Sequence, residues 1–412
     1  MDNKKFASFA MNKDNPNYEK AIKRESELYK RDSDIRSEFA RDYTRLLHSL
    51  GYRRLKHKTQ VFFNGAGNDH ICTRIEHVAH VESVSSTIAR SLGLNDELTK
   101  AIAIGHDIGH APFGHSGESI IRSLTKEYLN DDFWHEKNGV YFVDNLELLM
   151  DPEDNKKNLN LTYAVRDGII SHCGEVDDNG LFPRDDYMDL ANFEKAGMYN
   201  AVTWEGCVVK LADKIAYLGR DIEDAKRLSY FNNDDLKQLR KIAEKCNKSA
   251  VNTTVITHSM IVDICENSSP EKGLRFSDKM HENLMEIKEF NYRRIYLNDR
   301  LKPYNEYAKL IINSLFEYLK NLYEGEDTLA KLLADDFYNH DFVKQFANWV
   351  CCYVDIDETY PDYYLKKAMN TKNKKIYSRL ETKELYYRAV IDFIAGMTDN
   401  YAVSSFNELL SC

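Results

Sequence analysis

"LTKAIAIGHDIGHAPFGHSGE", residues 98 to 118, opens as an apolar helix and closes with three histidines, an aspartate and a glutamate inside fourteen positions. Buried imidazoles and carboxylates are costly unless they are paired or bound to a metal. A helix that runs from apolar residues into such a cluster therefore needs a compensating partner. Leu98, Ile102 and His106 share one stripe of this helix, and Asp107 follows directly. Asn95 is a good N-cap, with Asp96 and Glu97 in the positive first turn, and the helix is expected to end near Gly109 and Pro112.

The flanking helices repeat the pattern. In "RIEHVAHVESVSSTIARSL" (74–92), His77, Val81, Val84, Ile88 and Leu92 lie on one face of a 3.6-residue helix. In "CVVKLADKIAYLGRDIEDA" (207–225), Val209, Asp213, Ala216 and Arg220 share a side, while Asp213, Tyr217 and Asp221 step by four. Three helices thus aim His77, His106–Asp107 and Asp213 toward a buried stripe. Imidazole with carboxylate suits a borderline or hard divalent ion such as Mn, Fe, Ni or Mg. Taken singly, each residue has a plainer explanation: a hydrogen-bonded core histidine or a solvated aspartate. The joint pattern is what points to a metal.

The bulk of the sequence sets the frame. The 412 residues carry 56 basic and 66 acidic side chains, a formal charge of −10, which argues against a broad surface for nucleic acid or anionic membrane. Anionic ligands must then be met by a local basic pocket. At 43% hydrophobic, with only seven prolines and eighteen glycines, the chain is expected to fold as long helices around a sizeable core. The eight cysteines are scattered and form no CxxC, so neither a zinc ribbon nor a disulfide framework is expected. No signal-peptide pattern and no long apolar run is present, and a cytoplasmic, reduced protein with no membrane partner is the expectation. Nine of the thirteen histidines fall between His48 and His135.

Helices are expected over Asp32–Tyr52 (with Ile35, Phe39, Tyr43, Leu46 and Leu47 on one stripe), Arg74–Leu92, Ser116–Tyr128, Lys137–Leu149, Leu161–Ser171 and Glu205–Leu228. "TQVFFNGAGNDHICT" (59–73) reads as a short β-prone run with a glycine-rich turn, and residues 174–200 as loop. The chain stays helical beyond Asn232, without repeats or low-complexity tracts, and any boundary is expected near residue 230.

At this point the sequence resembles the HD-domain metallohydrolases, and within them the deoxynucleoside triphosphate triphosphohydrolases (dGTPase-like). "HDIGHAPFGHSGE" is similar to their extended HD motif, with Ile108 and Ala111 as mild variants. "YRRLKHKTQVF" (52–62), "TRIEH" (73–77), "WHEKNG" (134–139), "NLTYAVRDGIISH" (160–172), "ADKIAYLGRDIED" (212–224) and "FIAGMTDNYA" (393–402) resemble the other blocks, in the same order. The resemblance is dense over residues 32–230 and thin beyond, except near the end. It implies an all-α fold: an HD-type helical core with its N-terminal segment over 1–230, and a C-terminal helical region over 231–412 that packs on it and forms an oligomer interface.

Residue by residue, the resemblance implies His77, His106, Asp107 and Asp213 as ligands of a divalent metal ion (Mn, Mg or another transition metal). It implies a catalytic dyad of His115 and Glu118, with His135 and His110 near the phosphates. Arg74 and Lys214 would hold phosphate oxygens. Gln60, Tyr217 and Asp221 would contact the deoxyribose, the last two at its 3′-hydroxyl. The implied reaction is attack of water on the α-phosphorus of a dNTP, dGTP included, releasing deoxynucleoside and inorganic triphosphate. The implied partners are the dNTP, an allosteric nucleotide, single-stranded nucleic acid and further copies of the chain.

His115 follows Pro112 and Gly114, so the sequence places it in a turn beyond the metal-bearing helix, with Ser116 capping the next one. A turn would let it approach substrate from another side than the ligands do. Arg53, Arg54 and Lys56 to Lys58 read either as a solvated basic edge or as nucleotide contacts. His172 and Glu175 are read as structural, and the aromatic run "ELYYRAVIDFIAGM" as core. Two other functions stay open on the residues: an HD phosphomonoesterase or phosphodiesterase for another nucleotide, and a non-catalytic nucleotide sensor.

Overall fold

The computed structural model describes residues 4–29, 33–62, 70–173, 179–246, 253–334 and 340–411. Among them the chain is helical apart from loops and one two-stranded ribbon, β1 (Leu148–Met150) antiparallel to β2 (Lys156–Asn158). No helix among the described residues is long and apolar enough to cross a membrane. Glu175 and the turn at 63–69 lie outside the described residues.

Seven helices build and support the site: α1 (Glu38–His48), α2 (Arg74–Leu92), α3 (Asp96–Gly105), α4 (Gly114–Leu129), α5 (His135–Tyr141), α6 (Tyr163–Ser171) and α7 (Trp204–Arg227). Local chemistry fixes their starts. Glu76 reaches back to the Thr73 N–H at 2.8 Å, closing a capping box on α2, and Gly93, at φ 84°, ends that helix. Asn95 Oδ1 accepts the Leu98 N–H at 3.0 Å to start α3, and Thr203 caps α7 through the Gly206 N–H. The α2 stripe of Val81, Val84, Ile88 and Leu92 is buried, as are Leu98 and Ile102 on α3 and Val209 and Ala216 on α7. α2 packs most extensively on α7 and α3, α1 lies along α3, and α6 lies against α3 and α7.

Several expected elements differ. The first helix is broken: α1 starts at Glu38, ends at extended Ser49, and resumes as a short helix over Leu50–Arg54 that Ser49 itself caps. Phe39 and Leu46 are buried as expected, but Ile35 lies before the helix and is 99% exposed, and Leu47 is exposed. The helix expected to run through Leu149 is α-helical to Tyr141 (α5), continues as a π-helical turn over Phe142–Leu146 and gives way to extended backbone at Glu147. The Glu147 carboxylate accepts the Gly51 N–H at 2.7 Å and pairs with Arg54, anchoring the residue where the helix gives way to extended backbone. α3 stops at Gly105, so His106 is its C-cap residue and Asp107 lies just past the helix end.

The fourth helix departs most consequentially. Phe113 adopts the left-handed conformation at φ 64°, and α4 begins at Gly114 rather than at Ser116. His115 therefore sits in the first turn of a helix, not in a free turn. A Cβ at Gly117 would fall 1.7 Å from the Pro112 carbonyl oxygen, so only glycine permits this tight entry.

Buried apolar side chains form two clusters. One joins the helices of the first half with residues as far as Ile295. The other joins Phe113, Ile121 and Leu124 of the α4 segment to Ile312, Phe316, Phe346, Val390 and Ile394. A division into folding units at 1–230 and 231–412 is a proposal, and α4 is where such units would interlock.

Candidate metal and catalytic site

α2, α3 and α7 converge on His77, His106, Asp107 and Asp213. His77 Nε2 lies 2.9 Å from Asp213 Oδ1 and 4.0 Å from Asp107 Oδ2, and His106 Nε2 lies 3.4 Å from Asp107 Oδ1 and 3.9 Å from Asp213 Oδ1. One ligand atom from each of His77, His106 and Asp213 lies within 4.8 Å of the others. His106 Nδ1 donates to the Ala103 carbonyl at 2.6 Å, which fixes the tautomer and leaves the Nε2 lone pair facing the cluster. That Nε2 is buried with no hydrogen-bond partner. A buried lone pair beside two carboxylates is the environment a divalent cation completes.

A cationic wall adjoins this cluster. Arg74, at the start of α2 and 2% exposed, gives Nη1 to Asp107 Oδ2 at 2.9 Å, while its Nε and Nη2 are buried without partners. His110 Nε2 bonds the other Asp107 oxygen at 3.0 Å. Burial alone would raise Asp107, but Arg74, His106 and His110 hold its carboxyl well below the usual range. Burial opposes charge on His77 too, yet the Asp213 carboxylate raises it. His110 is pushed well below its ordinary value by burial and by Arg74.

The second group surrounds Glu118 on α4. Its Oε1 accepts the His135 backbone N–H at 2.9 Å, and both oxygens stand 3.2 Å from His135 Nδ1. His115 Nδ1 lies 3.5 Å from Oε2, and its side chain is 74% exposed. The His110 and His135 rings stack at 3.7 Å. Burial disfavours the charged His135 ring, but Glu136 and Glu118 lift it to about 9. Glu118 itself is held well below its ordinary range, since His135 and His115 outweigh its burial. The close approach of α5 to the HD turn depends on Gly109, where a Cβ would meet the His135 carbonyl oxygen at 2.1 Å.

Further along α7, Lys214 is buried, Tyr217 is partly buried against the core and Asp221 is 2% exposed. Tyr296 donates its hydroxyl to Asp221 Oδ2 at 2.5 Å, and burial pushes the Asp221 carboxyl up to about 6. Gln60 Oε1 is buried without a partner, and its backbone oxygen lies beside Gly114. Arg74, His77, His106, Asp107, His110, His115, Glu118, His135 and Asp213 therefore fall into one contiguous group, with Tyr217 and Asp221 one to two turns beyond Asp213 on α7.

Sequence reasoning missed the roles of three residues, of which Lys58 reads from the sequence only as part of a solvated basic edge or as a nucleotide contact. Tyr296 sits in "NYRRIY", where no periodicity marks it. Lys58, 2% exposed, donates Nζ to the His110 carbonyl and to the Ala395 carbonyl at 3.3 Å. Asp399 accepts the Thr59 N–H at 2.9 Å and the Phe113 N–H at 2.8 Å, tying the Gln60 segment to the turn that launches α4. The "FIAGMTDNYA" block drew attention to Asp399 without suggesting that role.

A model of the HD domain matches residues 74–218, and one of a phosphohydrolase-associated domain matches residues 274–354 and 361–408. The chain is 33% identical over 377 residues to a deoxyguanosinetriphosphate triphosphohydrolase-like protein of Caldanaerobacter subterraneus subsp. tengcongensis, covering 91% of this chain and 86% of the relative. It is 32% identical over 380 residues to one of Clostridium tetani, with 91% and 86% covered, and 37% identical over 293 residues to one of Desulfatibacillum aliphaticivorans, with 70% and 74% covered.

Proposed function

The chain belongs to the HD-domain family of deoxyguanosinetriphosphate triphosphohydrolase-like proteins, and from that premise we propose that it hydrolyses deoxynucleoside triphosphates, dGTP included, to the deoxynucleoside and inorganic triphosphate. One observation carries the reading. Arg74 neutralises Asp107 with one nitrogen and keeps two buried, unpaired N–H donors beside the imidazole–carboxylate cluster. A cation socket and an anion socket thus share a wall, as a metal-bound phosphate requires.

His77, His106, Asp107 and Asp213 are the proposed ligands. A divalent ion held there, manganese, magnesium or another transition metal, would polarise a phosphate oxygen and acidify water. Arg74 and Lys214 bind phosphate oxygens, and His110 lines the same wall. In the reaction, the oxygen of water bonds to the α-phosphorus, the bond to the 5′-oxygen breaks, and a proton reaches that oxygen. In this reading His115, exposed at the first turn of α4, moves that proton. Glu118 orients His115 and stabilises its charged form, and His135 shares the same carboxylate. Gln60, Tyr217 and Asp221 take the deoxyribose.

The proposal extends to a cytoplasmic homo-oligomer joined through the C-terminal helices and regulated by a nucleotide or by single-stranded nucleic acid. The deciding experiment incubates the protein with each of four dNTPs and with GTP, in Mn, Mg or Co, and identifies the phosphorus product. Inorganic triphosphate supports the reading. Orthophosphate or pyrophosphate would assign a different phosphoester chemistry to the same fold, and no turnover with any metal would leave a nucleotide sensor.

A further inference from the structure

One member of the basic run between Arg53 and Lys58 lies inside the molecule and has no task in the chemistry above. Lys58 is buried, in extended backbone just past the short turn Leu55–His57. Its main chain is fixed at the start of α2: its carbonyl accepts the Arg74 N–H at 3.1 Å, and its neighbour Thr59 pairs with Thr73. Its side chain reaches two further segments, donating Nζ to the carbonyls of His110 and Ala395. Ala395 ends the helix Lys383–Ala395, whose last carbonyls lack partners within the helix and form its negative end, where a cation is favoured. Burial pushes the ammonium down to about 7, with Arg54 and Arg74 adding to the effect and Asp399 and Glu147 opposing it. An apolar side chain of this length would fill the space without that cost, so the charge needs a reason.

We propose that Lys58 is a positioning residue of the phosphate wall, whose ammonium holds the HD turn where His110 and Arg74 face the substrate's triphosphate. The inference rests on the dNTP reading above. Two consecutive carbonyls of the turn are each held by a buried side chain from another segment: Gly109 by Asn138 Nδ2 at 2.7 Å, and His110 by Lys58. The peptide units on both sides of the His110 Cα are thereby fixed. With them is fixed the direction of its ring, which bonds Asp107 Oδ1 at 3.0 Å and stacks on His135 at 3.7 Å. Arg74 is tied to the same residue through the N–H that the Lys58 carbonyl takes. One buried lysine thus joins the two segments that carry the wall, and braces them on the end of a C-terminal helix. Its ammonium is turned to carbonyls, so it acts through His110 and Arg74. The charge also stands behind the place where a polyanion gathers, in a chain of net charge −10.

The test measures binding of inorganic triphosphate and of deoxyguanosine by calorimetry in the full-length protein with Mn in excess, beside kcat and KM for dGTP. Lys58→Met should weaken triphosphate binding and raise KM about tenfold, the order of a lost hydrogen bond to a charged group, with kcat less changed. Deoxyguanosine binding should stay at the wild-type level, because the nucleoside carries no phosphate to meet the wall. Lys58→Arg keeps the charge and the N–H donors and should recover part of the triphosphate affinity. Lys58→Gln keeps a donor without the charge, and carries the test if Lys58→Met fails to fold. A lowered thermal midpoint with triphosphate binding and KM intact would overturn the role and leave the dNTP reading standing. An equal loss for triphosphate and deoxyguanosine would do the same. A wild type that binds neither ligand would overturn both.

Discussion

Glu118 holds His135 more closely than it holds His115: both carboxylate oxygens stand 3.2 Å from His135 Nδ1, and the His135 backbone N–H adds a third contact at 2.9 Å. The His115 ring stands off at 3.5 Å. One carboxylate on α4 therefore sets two imidazoles, one exposed toward solvent and one enclosed. Glu118→Gln should then lower kcat at least as far as His115→Ala, within the 10²–10⁴-fold range typical of lost proton transfer. The double variant should be little worse than the weaker single one, as for groups that act together. Near-normal kcat in Glu118→Gln beside a disabled His115→Ala would end the dyad reading.

Removing a carboxylate from the first cluster should separate metal from fold. Asp213→Ala takes away the 2.9 Å partner of His77, and Asp107→Ala takes away the shared anchor of Arg74 and His110. Both should nearly abolish turnover and bound metal. Asp107→Ala should also lower stability further, because it leaves a buried guanidinium uncompensated. The check is metal content, activity and thermal midpoint on the same preparations. Retention of activity with normal metal in either variant would remove that residue from the ligand set.

Sugar recognition is tied to the Asp221–Tyr296 pair. A 2′,3′-dideoxy substrate leaves the proposed polar partners of the 3′-hydroxyl unpaired, a loss of roughly 1–3 kcal/mol in kcat/KM. Asp221→Ala should narrow the gap between dGTP and its dideoxy analogue. Tyr296→Phe removes the 2.5 Å donor to Asp221 and should lower kcat/KM for dGTP. Equal kinetics for both substrates in the wild type would place the 3′-hydroxyl elsewhere.

The burial of His77 and His106 was legible because helix periodicity decides which side of a helix is buried. His77 follows the Val81–Val84–Ile88 stripe, and His106 the Leu98–Ile102 stripe. His115 was misplaced because its conformation is set from outside its own segment. Pro112 and Gly114 read as a turn, yet Asp399, 286 residues away, fixes the Phe113 N–H and starts a helix there. Tyr296 has no local signature at all, since its importance lies in a hydroxyl that reaches Asp221 on another helix.

Away from the metal, Asp392 gives a pH test of how the C-terminal helices hold α5. Its Oδ2 accepts the hydroxyls of Tyr141 at 3.0 Å and Tyr377 at 2.8 Å. Burial pushes the carboxyl up to about 6 from 3.8, against the opposing pull of Arg388 and these hydroxyls. The fold thus favours the protonated form. Its contribution is full below the unfolded value of 3.8 and is lost as pH rises through about 6. Asp392→Asn keeps an oxygen acceptor and cannot ionise, and Arg388 retains Asp131 at 2.6 Å. The variant should be more stable than wild type at about pH 8, by on the order of 3 kcal/mol, and no more stable near pH 4. A stability difference independent of pH, measured by denaturant unfolding, would show that Asp392 does not titrate in this window.

Asp399 should govern catalysis without touching the metal. It is 3% exposed, and its two oxygens accept the Thr59 and Phe113 N–H groups, one beside Gln60 and the other before the turn that carries His115. Phe113 occupies a left-handed conformation at φ 64°, which a bulky residue adopts only when its surroundings impose it. In Asp399→Asn the amide nitrogen cannot accept, so one of the two N–H groups loses its partner, at about 1–3 kcal/mol of stability. The helix start should loosen, displacing His115 and Glu118 from the position in which they meet substrate. The expected result is normal metal content, a lowered kcat and a smaller change in KM. Asp399→Glu keeps both acceptors and should recover part of the loss. A variant that loses metal in proportion to activity, or one that only melts at lower temperature with kcat intact, would reduce Asp399 to a residue of the fold alone.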